Sequence, residues 1–152
     1  MRTLANEADR NVVAQRIGRV GPDAQARWGK MNAHQMICHL NDAYKCPLGE
    51  KSASAATGLF QRTVMKFGAL YLPFTWPKGV PTRPEMEQGV GGTAPVEFER
   101  DRRELLDVLQ RFSALGKRSE EQRHPIFGKM SEQDWMRWGF LHADHHLRQF
   151  GF

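Results

Sequence analysis

Near its end the chain carries Trp135, Trp138, His142, His146 and Gln149 at spacings of three and four, the period of one face of an α-helix. Ser131, with Asp134 three residues on, resembles a capping box and gives that helix its start. The stripe constrains the fold more than any other feature. Indoles carry large apolar area that favours burial, whereas an imidazole taken from water without a polar partner is costly. The helix must therefore lie against other elements that cover the tryptophans and also supply partners to the histidines.

The rest of the chain offers such elements. Residues 4 to 17 place Ala5, Ala8, Val12 and Ile17 at helical spacing, and Gly18 with Gly21-Pro22 supplies the stop. Asn32 is a good N-cap for a second helix, in which Met36, His39, Ala43 and Cys46 repeat at threes and fours until Pro47. Phe60, Val64, Phe67 and Tyr71, opposite Gln61, Arg62 and Lys66, predict a shorter helix. Pro73, Pro77, Pro81, Pro84, Gly89, Gly91 and Gly92 then mark a long connection, either a surface excursion or a cover over a site. Pro95 in a first turn and Lys117-Arg118 at the far end bracket a further helix with Phe98, Leu105, Leu109, Phe112 and Leu115 on one face. No segment alternates with the period of a strand. The expectation is one all-α domain over residues 1–152: a four-helix bundle with an extra short helix and a long Pro/Gly-rich loop between helices two and three. Facing helices of a bundle bring core side chains together and can build a metal site.

Composition narrows the function classes. A net charge of +5 and a pI near 9.6 raise anionic partners. The densest basic stretch, Glu99 to Glu104, nevertheless alternates with acids, and no basic run is interleaved with aromatics, which weighs against nucleic acid. The longest apolar stretch, Leu59 to Trp76, is broken by Arg62 and Lys66, so no membrane span is expected. Residues 1–10 hold no apolar run of signal-peptide length. The two cysteines, Cys38 and Cys46, would lie about 12 Å apart along one helix, too far for a disulfide, and suit a reducing cytoplasm as packing residues.

His142 and His146 stand one turn apart on one face and can grip a single ion. Alone the pair is weak, because six histidines in 152 residues produce such spacings by chance. It gains weight from its place on the tryptophan stripe and from His39 on the inner seam of the second helix. Three inward histidines from two helices are explained together by a divalent metal, with the fourth position left for water or substrate, as in catalytic sites. Zinc there would bring the pKa of water to about 7, or hold a thiolate. Ala143 stands where a helical zinc peptidase needs glutamate, which argues against that class. Asp144 projects to the other face as a solvent-facing or helix-surface carboxylate. His145 competes with His146 for the stripe and is read as an outer or surface residue. Gln149 could orient His146 or be a satisfied core amide. Cys38 points away from His39, and His124, in His124-Pro125-Ile126-Phe127-Gly128, reads as a loop anchor.

Trp28-Gly29-Lys30-Met31-Asn32-Ala33-His34-Gln35-Met36-Ile37-Cys38-His39-Leu40 resembles the second-helix signature of the DinB-like superfamily. His142-Ala143-Asp144-His145-His146-Leu147-Arg148-Gln149-Phe150 is similar to its closing motif, and the His124–Gly128 loop suggests a branch of unassigned function. The resemblance implies an up-down-down-up bundle, often a homodimer, with a nickel or zinc ion on three histidines. Carried onto this chain, these are His39, His142 and His146. Relatives include transferases and isomerases that use a low-molecular-weight thiol as co-substrate. Leu147-Arg148 stands where many members show Arg-Gly, which leaves metal binding untouched and the substrate more open. The expected function is a metal-dependent hydrolase or thiol S-transferase acting on a small molecule; the alternative is a non-catalytic metal- or ligand-binding stress-response protein. Shared ligands do not fix a reaction.

Overall fold

The computed structural model describes residues 1–55 and 58–152 and is mostly helical among them. Its helices are α1 (Glu7–Arg19), α2 (Ala33–Lys45), α3 (Lys66–Tyr71), α4 (Phe98–Ser113) and α5 (Glu132–Gln149). Each long helix starts at a side chain that accepts otherwise orphaned backbone N–H groups. Asn6 takes the N–H of Asp9, and Glu97 takes those of Glu99 and Arg100. Asn32 with Gln35 and Ser131 with Asp134 form full capping boxes.

α2 and α5 both contact α4, or its continuation, and each other, while α1 packs on α4 and α5. The shared core gathers Val13 and Ile17 of α1, Met36, Ile37 and Leu40 of α2, Leu105, Val108 and Phe112 of α4, and Trp135 and Leu147 of α5. Gly139 permits a close approach: a Cβ there would stand 2.5 Å from the Phe112 ring and 2.8 Å from Leu4. The Tyr44 hydroxyl donates to the Gly139 carbonyl, tying α2 to α5 at the same level.

Three sequence expectations are corrected, and one small element is added. α1 buries Val13 and Ile17, whereas Ala5, Ala8 and Val12 face outward. Two adjacent valines fit two overlapping periodicities, and the partner surface chooses between them. α4 begins after Glu97, leaving Pro95 outside, and ends at Ser113. A 3₁₀ segment, Gly116–Glu121, follows, with Gly116 at φ 57°.

The face of Phe60, Val64 and Phe67 points outward, at 61%, 62% and 58% exposure, along a π-helical turn (Gln61–Met65) and α3. Inward lie Leu70 and Lys66, the latter bonded to Asp134 and the Lys129 carbonyl. Finally, a two-residue hairpin pairs β1 (Arg123–His124) with β2 (Gly128–Lys129), placing His124 opposite Gly128. Strands this short carry no alternation for a sequence reading to find.

Candidate metal centre

α2 delivers His39, and α5 delivers His142 and His146 from successive turns. Their Nε2 atoms converge: His39 to His142 is 3.2 Å and His146 to His142 is 3.1 Å. Together they form a group close enough to hold one metal ion, and among the described residues no fourth His, Cys, Asp or Glu joins it.

What lies behind the rings fixes which nitrogen carries the proton. Nδ1 of His39 is 3.1 Å from the Met86 carbonyl, which can only accept, so Nδ1 is the donor and Nε2 keeps its lone pair. A longer relay reaches the same result at His146. The Trp28 carbonyl accepts from Gln149 Nε2 at 2.6 Å, which turns Gln149 Oε1 toward His146 Nδ1 at 2.9 Å. Nδ1 of His146 must then donate, and its Nε2 is again a bare acceptor. Backbone carbonyls thus set both tautomers. Gly29 makes room for this relay: it sits at φ 82°, and a Cβ there would stand 2.4 Å from Gln149 Nε2.

Two acceptors therefore face His142 Nε2 at hydrogen-bond distance. One proton on His142 Nε2 can lie along only one of those directions, leaving the other lone pair unmatched in a desolvated pocket. A cation satisfies all three nitrogens at once, and three neutral imidazoles suit zinc, nickel or copper. Burial is the main force keeping these rings neutral. It pushes the pKa of His39 down, against the Met86 hydrogen bond and the Asp42 charge, and those of His142 and His146 well down, where repulsion from neighbouring histidines adds to the effect. Neutral rings are the ligand form, so no proton has to be displaced near pH 7. Among the described residues His142 Nδ1 is buried without a hydrogen-bond partner, so its ring lacks the outer support that His39 and His146 have.

The long connection is a cover over this group rather than a surface excursion. Trp76 lies tilted against His142 and His145, with ring centres 6.0 and 6.1 Å away, and its indole donates to the Ala69 carbonyl. Ten residues on, Met86 supplies the His39 partner. Past the loop, Thr93 anchors the chain to buried Asp42 through its N–H and hydroxyl, at 2.8 and 2.6 Å. Beneath the cover lies a cavity of about 880 Å³, walled by Trp28, Trp76, Trp138, Phe127 and Met86 and reaching His39, His142 and His146. Its size suits a small organic molecule.

His145 stays outside the trio, stacked edge-on to His146 at 5.1 Å and near Trp28 at 6.0 Å. Asp144 lies on the far side and pairs with Arg16 of α1 and Arg148, at 2.7 and 3.0 Å. His124 is more than a loop anchor: the hairpin folds back so that its ring packs on Trp135 and Trp138 and lines the cavity.

Sequence reasoning missed the Met86 and Trp28 carbonyls, which have no residue-type signature. It also missed a second group, His34, Cys38 and Asp101, likewise close enough to hold a metal. The His34–Cys38 spacing of four was its only sequence signal, since Asp101 comes from α4.

A family described as "Protein of unknown function (DUF1569)" matches residues 2–151. No curated protein and no solved structure matches the chain.

Proposed function

We propose that this chain, which belongs to the DUF1569 family, is a divalent-metal enzyme of the DinB-like superfamily, with the up-down-down-up four-helix bundle of that group as a single domain. His39, His142 and His146 would hold one ion, zinc or nickel, through their Nε2 atoms. The observation that carries this reading is the meeting of those nitrogens at 3.1 and 3.2 Å, with two of the three tautomers fixed as acceptors by the carbonyls behind them.

When bound, the ion supplies Lewis acidity that makes water or a low-molecular-weight thiol nucleophilic near neutral pH. The chain's own contribution is to hold three neutral donors, leave one side of the group open to the cavity, and surround the substrate with indole and thioether surface that excludes water. This supports a hydrolase or thiol S-transferase acting on a small, largely apolar molecule in the cytoplasm. A second copy of the chain, the partner implied by the DinB-like resemblance, would cover the exposed Phe60, Val64 and Phe67. No helix among the described residues is long and apolar enough to cross a membrane.

The test is elemental analysis of protein purified without a histidine tag, followed by cobalt substitution and titration with 2-mercaptoethanol. The expected outcome is one equivalent of divalent metal and a thiolate-to-cobalt absorption band. A full equivalent whose spectrum ignores added thiol or azide would mark a closed site and favour the non-catalytic binding protein. No metal at all would overturn the reading.

A further inference from the structure

His124 is a buried polar side chain in the wall of the cavity that the trio does not use. Its Nδ1 accepts two backbone hydrogen bonds, from the N–H groups of Ile126 and Phe127, both at 3.1 Å. A nitrogen that accepts cannot carry the proton, so His124 is the Nε2–H tautomer. The ring is held flat on Phe127 at 4.7 Å and edge-on to Trp138 at 5.0 Å, and Trp138 in turn lies 4.9 Å from the His142 ring. Nδ1 is thus committed to the turn of its own hairpin, while Nε2–H has no hydrogen-bond partner among the described residues. The residue is only 7% exposed, and the cavity is the open space that it lines.

We propose that His124 is a ligand-binding residue whose fixed Nε2–H donates to an oxygen acceptor, a carbonyl or phosphoryl oxygen, on an otherwise apolar molecule in this cavity. The walls explain the apolar body, because their surface is mainly apolar and the indoles and thioethers in it offer dispersion. His124 explains the acceptor, because a buried donor is satisfied only by a molecule that brings an oxygen to it. Hydrogen bonds to Nδ1 from two successive N–H groups keep the ring from rotating or changing tautomer. The donor is therefore in place before the ligand arrives, and little ordering cost accompanies binding. This deepens the reading of the cavity as a substrate site and rests on it for the location only.

Two amide substitutions separate the ring's two roles. His124→Asn puts an amide oxygen where Nδ1 stands and keeps the turn, but withdraws the donor from the cavity. His124→Gln puts an amide N–H near the place of Nε2 and keeps the donor, but gives up the turn. The probes are acetophenone and α-methylstyrene, which differ by C=O against C=CH₂, titrated into chelator-treated protein and followed by NMR of the indole N–H groups. Long-range proton–nitrogen spectra report the His124 tautomer in the same samples.

The wild type should show the Nε2–H form and prefer acetophenone by about fivefold, the worth of roughly one hydrogen bond. His124→Asn should lose that preference, and His124→Gln should retain most of it at reduced thermal stability. An Nδ1–H tautomer, an equal or absent response to the two probes in the wild type, or a preference that survives in His124→Asn would overturn the proposal. All of these are read without metal, so they are distinct from failure of the metal reading, which shows in metal content.

Discussion

Helix α2 carries two histidines that each join a cluster of metal-ligating types, and the two clusters differ in one chemical respect. Around Asp101 Oδ2 gather the His34 Nε2 at 2.8 Å, the Val96 N–H at 3.0 Å and the Cys38 thiol at 3.7 Å. Those are donors around one acceptor, and the group is complete as it stands. Burial raises the Asp101 pKa, but the Val96 N–H and His34 outweigh it and hold the carboxyl below its ordinary value. Around the gap between His39, His142 and His146 stand two fixed acceptors and at most one donor, the His142 Nε2–H, which can serve only one of them. Proximity of ligand-type residues is common to both; only the second is incomplete without a cation. Direction of hydrogen bonding, not residue identity, separates a structural knot from a candidate metal centre.

The largest expected effect is on metal content. His39→Ala, His142→Ala and His146→Ala should each weaken binding by more than about 100-fold, beyond what loss of an outer partner costs. Gln149→Leu should fall between, at roughly 10- to 100-fold, because it frees the His146 ring without removing a ligand. His34→Ala and Asp101→Asn should retain a full equivalent by elemental analysis while lowering the melting temperature. Metal lost from the Asp101 cluster variants and kept in the trio variants would reverse the comparison.

The two clusters were unequally legible in the sequence. Periodicity placed His142 and His146 on the stripe with Trp135 and Trp138, because a four-residue spacing on a capped helix fixes a face. His39 followed from the seam of α2. What stayed hidden came from the tertiary pairing of distant segments. Asp101 reads as a solvated acid in a charged run, and nothing in its neighbours says that α4 turns it toward His34. The Met86 and Trp28 carbonyls belong to backbone, which every residue has. Phe60, Val64 and Phe67 showed a helical face correctly and its direction wrongly, since an amphipathic stripe says which residues lie together and not what covers them. His124 does anchor its loop through Nδ1, but its place in the cavity wall depends on the hairpin folding back, which no sequence spacing shows.

A smaller effect separates the clusters by pH. His39, His142 and His146 have pKa values held below 6.5 by burial, and that of His124 is pushed down to about 3. Each therefore contributes stability that is full above the unfolded value near 6.5 and is lost as pH falls toward the folded value. The reason is that the unfolded chain binds the proton first. Asp101 is also lowered, from 3.8, so its contribution goes only below that pH. Chelator-treated protein should lose up to about 1.4 kcal/mol per pH unit for each such histidine below pH 6.5. In Asp101→Asn that limb should be unchanged and the loss below about pH 4 reduced. A melting temperature that is flat from pH 7 to 5 would show that the folded chain takes up protons as readily as the unfolded one, so that burial does not hold these rings neutral.

The smallest effect is predicted for Cys38, and it is the sharpest check on the Asp101 cluster. A thiol is a weak donor, and at 3.7 Å from a carboxylate oxygen that already accepts from His34 and Val96 it adds little. Burial foremost, and then the Asp101 charge, push its pKa to about 12, so the thiolate that a metal would require is suppressed at neutral pH. Cys38→Ala should therefore cost about 1 kcal/mol or less, mainly through the small void it leaves, with metal content and spectrum unchanged. Alkylation by iodoacetamide should be slow in the folded wild type, since the side chain is 2% exposed as well as protonated. If Cys38→Ala instead removed bound zinc or abolished a sulfur-to-cobalt band present in the wild type before any thiol was added, the ion would lie between His34, Cys38 and Asp101. The contrast between a complete cluster and an incomplete one would then fail at its first term.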